Sequence, residues 1–215
     1  MIRTSLAALG TLFLATSAHA LEDLPDSCAS DLSSAVYTSR DEADQAELQC
    51  DIDRADLLVR RAATIFDTAQ TPLMRIVDTA APSGAAYVYD VVDASGTMML
   101  DARTVPVGDD VKVPMCRLQT QLPTAVASKV ALSLLTAGGT DVPAYGNRQK
   151  MVTNADGSRS FELLLSSHDV VTLIETTNGP RHFSRHAEAT DSIAELNRSV
   201  IGVANFSDGW VCNTN

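Results

Sequence analysis

A turn that ends in glycine between two β-type runs is the feature that most constrains the fold of this chain. Residues 85–92 are rich in tyrosine and valine, residues 97–103 form a second run, and the turn occupies 93–96. A connection this short joins antiparallel strands, because parallel strands need a crossover of about a dozen residues or more. The sequence therefore predicts a hairpin at this point.

The same pattern recurs later in the chain. A turn at 154–157, which also ends in glycine, separates β-type runs at 150–153 and 160–166. Another run follows at 170–176, and an earlier one covers 111–121. Runs of this length bounded by turn residues are typical of strands joined to their neighbours. We therefore expect an antiparallel sheet built from hairpins and a meander.

Three segments carry the signals of helices. Ser39 and Glu42 form a capping box ahead of an apolar stripe, which predicts a long helix over about 40–70. The segment 123–137 is largely apolar and predicts a second helix with most of its circumference buried. A second capping box predicts a third helix over 192–202. Together with the hairpins, these helices predict an α+β fold in which the three helices cover one face of the sheet.

The first twenty residues have the layout of a secretory signal peptide. Arg3 gives a positive start, 6–15 is an apolar run, and small residues precede a cleavage site after Ala20. The run is too short to span a bilayer, which needs about 20 apolar residues. We expect an irregular lead-in over 21–38 and a single α+β domain over 39–215, in a protein secreted to the periplasm or the cell exterior.

Four cysteines follow the leader, and an even number in an oxidising compartment predicts two disulfides. Four cysteines allow three pairings. We favour Cys28–Cys50, which closes a short N-terminal loop, and Cys116–Cys212, which ties the tail to the middle of the domain. The chain has no C-x-x-C motif, and the spacings fit no zinc pattern. The sequence therefore predicts structural cysteines rather than a redox pair or a metal site.

The composition is strongly acidic and narrows the range of partners. The formal net charge is −11, and it becomes −12 when Arg3 is removed with the leader. This charge disfavours nucleic acid and anionic lipid, both of which attract basic proteins. No later apolar stretch reaches spanning length, and no phosphate loop or dinucleotide fingerprint is present. We expect no nucleic acid, no membrane span and no cofactor, and a small ligand or a protein as partner.

One short basic patch stands out from this background, formed by Arg181, His182, Arg185 and His186. Arginine pairs suit carboxylate and phosphate groups, so we expect this patch to bind an anion or an acidic partner. The local alternation favours a strand, on which the two histidines would lie about 13 Å apart, too far to share a metal ion. A helix beginning at Pro180 would instead bring both rings close enough to ligate one.

These features favour a secreted, non-catalytic binding or accessory protein, with no residue assigned to catalysis. Two alternatives stay open. One is a secreted hydrolase with a dispersed catalytic site that uses His168 or His182, because the members of such a site need not be adjacent in sequence. The other is a metal-binding accessory protein that uses His182 and His186.

Overall fold

The computed structural model describes residues 39–67, 70–79, 84–108, 112–137, 139, 142–146, 149–163 and 169–213. These residues form three helices: α1 (Arg40–Ile65), α2 (Thr124–Thr136) and α3 (Ser192–Asn205). They also form nine strands: β1 (Met74–Asp78), β2 (Ala85–Ala94), β3 (Thr97–Pro106), β4 (Met115–Gln121), β5 (Gln149–Thr153), β6 (Arg159–Leu163), β7 (Asp169–Thr176), β8 (Gly179–His186) and β9 (Val211–Asn213). The predicted leader at 1–20 and lead-in at 21–38 lie outside the described residues.

Seven of these strands form one antiparallel sheet in the order β8-β7-β1-β2-β3-β4-β9. The predicted α+β class, with an antiparallel sheet and three helices, is confirmed. The hairpin β5–β6 forms a separate two-stranded sheet. Strand β1 was not predicted, although it is an interior strand of the main sheet and pairs with both β2 and β7. It connects the early hairpin to the later meander.

The helices pack on both faces of the sheet, so the expectation that they cover one face is wrong. Side chains alternate between the faces along each strand. On one face, Leu58 and Ala62 of α1 pack against Val77, Val88 and Val105. On the other face, α2 and α3 contribute Val130, Ile193, Leu196 and Val200 to a core with Met74, Ile76, Val91, Leu100 and Phe183. The result is a three-layer arrangement in which both sides of the sheet are apolar.

Capping residues in the sequence predicted where α1 and α3 begin to within one residue. The Ser39 side chain accepts a hydrogen bond from the Glu42 backbone N–H at 3.2 Å, as the predicted cap requires, and α1 ends at Ile65. For α3 the cap is Asp191 rather than Ser192, since the Asp191 carboxylate accepts from the Ala194 N–H.

Helix α2 is far more exposed than predicted. Val130 is its one buried residue, while Leu132 and Leu135 are 61% and 80% exposed. The prediction that most of its circumference is buried is therefore wrong. The helix contacts the sheet and α3 along a narrow stripe, and its apolar composition did not show which positions would face the core.

The C-terminal strand β9 is a three-residue edge strand joined covalently to its neighbour. Cys116 and Cys212 lie opposite each other on β4 and β9 and form the predicted disulfide. It is the one complete disulfide within the described residues, so one of the two predicted disulfides is confirmed. Cys50 is not a free thiol, but its predicted partner Cys28 lies outside the described residues. Among the described residues, no helix is long and apolar enough to cross a membrane.

We predict that replacing both Cys116 and Cys212 with serine lowers the free energy of unfolding by about 2–4 kcal/mol, because the bond closes a long loop of the unfolded chain. The two cysteines are 96 residues apart. Urea unfolding of the oxidised protein and the double variant measures the difference. A non-reducing peptide map that links Cys116 to any other cysteine would contradict the pairing.

Candidate functional site

The basic patch predicted at 181–186 lies on β8, which confirms the strand interpretation of this segment. The alternation of β8 divides the four side chains between the two faces of the sheet. Arg181 and Arg185 lie on the side of α2 and α3, whereas His182 and His186 lie on the side of α1. The structure therefore does not bring the four together on one surface.

Both arginines are engaged by the loop beside β8. Arg181 donates to the carbonyl oxygens of Ala137, Gly139 and Val142. Arg185 donates to the carbonyls of Pro143 and Ala144 and to its own neighbour Ser184. These bonds hold the loop against the edge of the sheet, so the guanidinium groups act within the fold.

Burial dominates the electrostatics of Arg185. Its side chain has no exposed surface, and its Nε lies 2.5 Å from a carboxylate oxygen of Asp191. Desolvation lowers the pKa of Arg185, although the Asp191 carboxylate favours the charged form. A cavity of about 160 Å³ at the end of β8 is lined by Arg185 and His186 and further by Asp78, Asn197 and Arg198.

The candidate histidines are not gathered into a catalytic or metal-binding cluster. His182 and His186 are four residues apart on one strand, which corresponds to about 13 Å at roughly 3.3 Å per residue. Within the described ranges, no group of three or more histidine, cysteine or acidic residues could hold a metal ion. His168, the other histidine considered for a hydrolase, lies outside the described residues.

A set of ion pairs that the sequence analysis did not predict crosses β1 to β4 on the α1 face. Arg75 on β1 makes two hydrogen bonds, of 2.6 and 3.0 Å, to the carboxylate of Asp90 on β2. Arg103 on β3 donates to the same carboxylate. One step further, Arg117 on β4 pairs with Asp101 on β3. We call these five residues the ion-pair ladder.

The ladder is ordered by the register of the strands. Asp90 lies directly opposite Asp101, and Arg103 lies directly opposite Arg117. Like charges in such positions repel, so the bonds run diagonally, from Arg103 to Asp90 and from Arg117 to Asp101. Arg103 is 1% exposed and Asp90 is 3% exposed, so removing either partner leaves a buried charge unpaired and destabilises the fold.

The outer end of the ladder opens into a groove. One cavity of about 330 Å³ is lined by Asp67, Val92, Met99 and Asp101, and an adjoining one of about 360 Å³ by Phe66, Gly209, Val211 and Asn213. Arg117 and Gln119 line both. We call the two cavities together the sheet groove. It lies where the chain leaves α1, which packs mainly on β1, β2, β3, β7 and β8.

Arg117 is the most defined polar group in the sheet groove. Its Nε and Nη2 donate to the two carboxylate oxygens of Asp101 at 2.9 and 2.8 Å. The hydrogen bond to Asp101 raises the pKa of Arg117, and the nearby charge of Asp67 acts in the same direction. No acceptor among the described residues engages Nη1. The guanidinium is therefore fixed in orientation, with one edge free to donate to a bound group.

The local charge of this region differs from that of the whole chain. The ladder holds three arginines and two aspartates, and with Asp67 beside it the numbers of positive and negative charges are equal. In a chain of net charge −11, the ladder and Asp67 together carry no net charge, and of the ladder residues Asp90, Asp101 and Arg117 line the groove itself. Arg117 is the cation that an anionic group entering the groove would meet, because Arg117 lines both of its cavities.

The ladder leaves a signal in the sequence that could have been used. Asp90 has valine two residues before and two residues after it, and Arg103 has Val105 on the same face. A charged residue in phase with apolar neighbours along a strand is buried with them and needs a partner. Sequence alone did not give that partner, because the ladder draws on four separate strands.

We predict that Asp90→Ala lowers the free energy of unfolding by about 3–5 kcal/mol, because it leaves Arg75 and Arg103 without their shared carboxylate. The control is Asp56→Ala on the exposed side of α1, for which we expect a change within about 0.5 kcal/mol. Urea unfolding measures both. Equal midpoints for the two variants would show that the ladder does not support the fold.

Comparisons with known proteins give no relative from which a role could be transferred. The chain matches no family model, and neither the curated proteins nor the solved structures include a match. The groove offers a fixed donor in Arg117, exposed side-chain amides and an apolar wall, and the ladder supports it.

Proposed function

We propose that this chain is a secreted, non-catalytic binding or accessory protein whose ligand or partner occupies the sheet groove. The observation that carries the proposal is Arg117, held by Asp101 on two paired strands, with Nη1 directed to no acceptor of the described chain. Carboxylates are the strongest common acceptors for such a donor. The partner is accordingly expected to present a carboxylate or another acceptor oxygen.

Arg117 is favoured over the patch on β8 for this role. Arg181 and Arg185 each donate to three backbone carbonyls, so binding an anion there would compete with the bonds that hold residues 137, 139 and 142–144 against β8. Binding an anion at Arg117 would break no existing hydrogen bond, because Nη1 is separate from the Nε and Nη2 donors that bond to Asp101. The groove also offers apolar contacts from Met99 and Val211 beside the donor.

We predict that butyrate binds in the sheet groove, whereas butylammonium, a cation of the same length, does not. Butyrate should shift the NMR signals of the Arg117 Nε–H and the Gln119 side-chain amide. Arg117→Gln should weaken binding about tenfold or more, since hydrogen bonds to charged groups contribute about 1.5–3 kcal/mol. Arg117→Lys, which keeps the charge without the fork, should also weaken it.

The matched control is Lys129→Gln, which removes one positive charge from α2 and should leave butyrate binding unchanged. Lys129 is an exposed partner of Glu195, away from the groove. Butyrate shifts that persist in Arg117→Gln and centre on β8 would move the anion site to the patch predicted from the sequence. Absence of saturable shifts at millimolar butyrate would contradict the proposed function.

Export is part of the proposal and has its own test. If residues 1–20 are a signal peptide, the protein purified from its natural host should begin at Leu21, because cleavage follows the small residues that end at Ala20. Edman sequencing or intact mass decides this. A mature protein that retains Met1 would contradict secretion by this route.

A further inference from the structure

The outer edge of β4 is only partly paired. Strand β9 pairs with Met115, Cys116 and Arg117, and the pairing stops there. Before β9 the chain turns toward the opposite face, where Trp210 packs into the core and its Nε1 donates to the Ala204 carbonyl, while Gly209 lies beside the Leu118 side chain and lines the groove without pairing with β4. Among the described residues, the second half of β4, residues 118–121, therefore pairs with a strand on one side only.

The hydrogen-bond phase of β4 shows which backbone groups this edge presents. The Leu122 N–H donates to the Met98 carbonyl, and the Cys116 N–H also points toward β3. Antiparallel strands direct alternate residues to opposite neighbours. Gln119 and Gln121 therefore point their N–H and C=O groups away from β3. No hydrogen bond within the described residues uses these four groups, and both glutamines are exposed.

This edge borders the sheet groove. The side chains of Arg117 and Gln119 line the groove, and β9 already contributes Val211 and Asn213 to it from the neighbouring position. A segment that continued the line of β9 past Val211 would pair with Gln119 and Gln121. Every second side chain of that segment would then enter the groove, because side chains on paired strands share a face.

We propose that the partner is an extended peptide segment of another protein, which adds a strand at Gln119 and Gln121 and places an acidic side chain against Nη1 of Arg117. This rests on the proposed function and names the class of partner. Main-chain pairing supplies affinity, and the groove supplies selectivity for the acidic residue and for a small apolar neighbour two positions away. Because Asp67, Asp90 and Asp101 line the groove beside Arg117 and the chain is acidic, a peptide with one acidic residue for Arg117 and a compensating lysine fits best.

The test uses a fluorescently labelled short peptide of alternating threonine and valine with one central glutamate and one terminal lysine. Two matched peptides replace the glutamate with glutamine, or carry N-methyl groups on alternate residues so that the edge-facing donors are lost. Fluorescence anisotropy with the exported, oxidised protein should show the parent peptide binding about tenfold more tightly than either relative.

The matching protein variant is Gln121→Pro, which removes one outward N–H and leaves Arg117 and Gln119 in place. Proline is tolerated at an edge position whose N–H faces solvent, so the fold should persist, as circular dichroism and urea unfolding can check. We expect about tenfold weaker peptide binding, while butyrate binding is unchanged. The control Gln121→Thr keeps the N–H and should bind the peptide as the parent protein does.

The outcomes separate this inference from the proposed function. If Gln121→Pro or N-methylation leaves peptide binding unchanged, or no peptide binds, strand addition is overturned, and butyrate binding still decides the function. If sedimentation shows a dimer that Gln121→Pro dissociates, the occupant of the edge is a second copy of this chain and the inference is overturned. If neither butyrate nor peptide binds, both proposals fail.

Discussion

The seven-stranded sheet is apolar on both faces, and covering both faces with few helices is the constraint on which the rest of the structure depends. On one side the cover is α1, which begins near β8 and ends near β3. The Ser184 hydroxyl donates to Asp51 in its first half, and Arg61 donates to the Pro106 carbonyl near its end. Beyond that point β4 and β9 form the floor of a groove.

The ion-pair ladder lies where the apolar cover ends. A row of valines at these positions would leave an open apolar surface beside an unpaired strand edge, which invites aggregation. Charged residues avoid this, but burying them is costly unless each is paired. The strand register places Arg75 opposite Asp90, and it lets Arg103 and Arg117 reach Asp90 and Asp101 diagonally, so that each charge has a partner. Because Asp90 and Asp101 fix the arginines, Arg117 is held rigidly at the rim of the groove rather than moving freely in solvent.

The parts of the fold that sequence predicted correctly depend on neighbouring residues. The cap at Ser39, the hairpin at 93–96 and the strand at β8 are local patterns, and the structure contains all three. Strand β1 was missed because it has five residues, follows Pro72 closely and buries apolar residues on both faces, Ile76 on one and Val77 on the other, so it lacks the alternation of a half-buried strand. The sharing of helices between two faces was missed because an apolar stripe shows that a helix packs, but not on which side.

For the candidate site too, the sequence revealed residues that are close along the chain but not pairs that form between strands. Arg181 and Arg185 were predicted as a binding patch because they are close in sequence, yet their guanidinium groups donate to backbone carbonyls of a nearby loop. Arg117 was not, because its significance comes from Asp101, which lies on another strand. A pair assembled across strands depends on register, and register is set by the whole sheet. Sequence could therefore indicate that a charge was buried at Asp90, but not that Arg75 and Arg103 would share it.

The two edges of the sheet are treated differently, and the difference bears on what the molecule does. At β8 a loop closes the edge: the Ser184 N–H and C=O bond to Ala144 and Gly146, and Arg185 fixes the same loop by its carbonyls. At β4 the cover is three residues of β9 and one disulfide. Proteins usually protect an edge because unpaired backbone groups recruit other chains. Within the described residues the β8 edge is closed and the edge at β4 is partly open beside the fixed donor Arg117, so the β4 edge is where we propose that a partner binds, and the charged floor of the groove would restrict which partners fit.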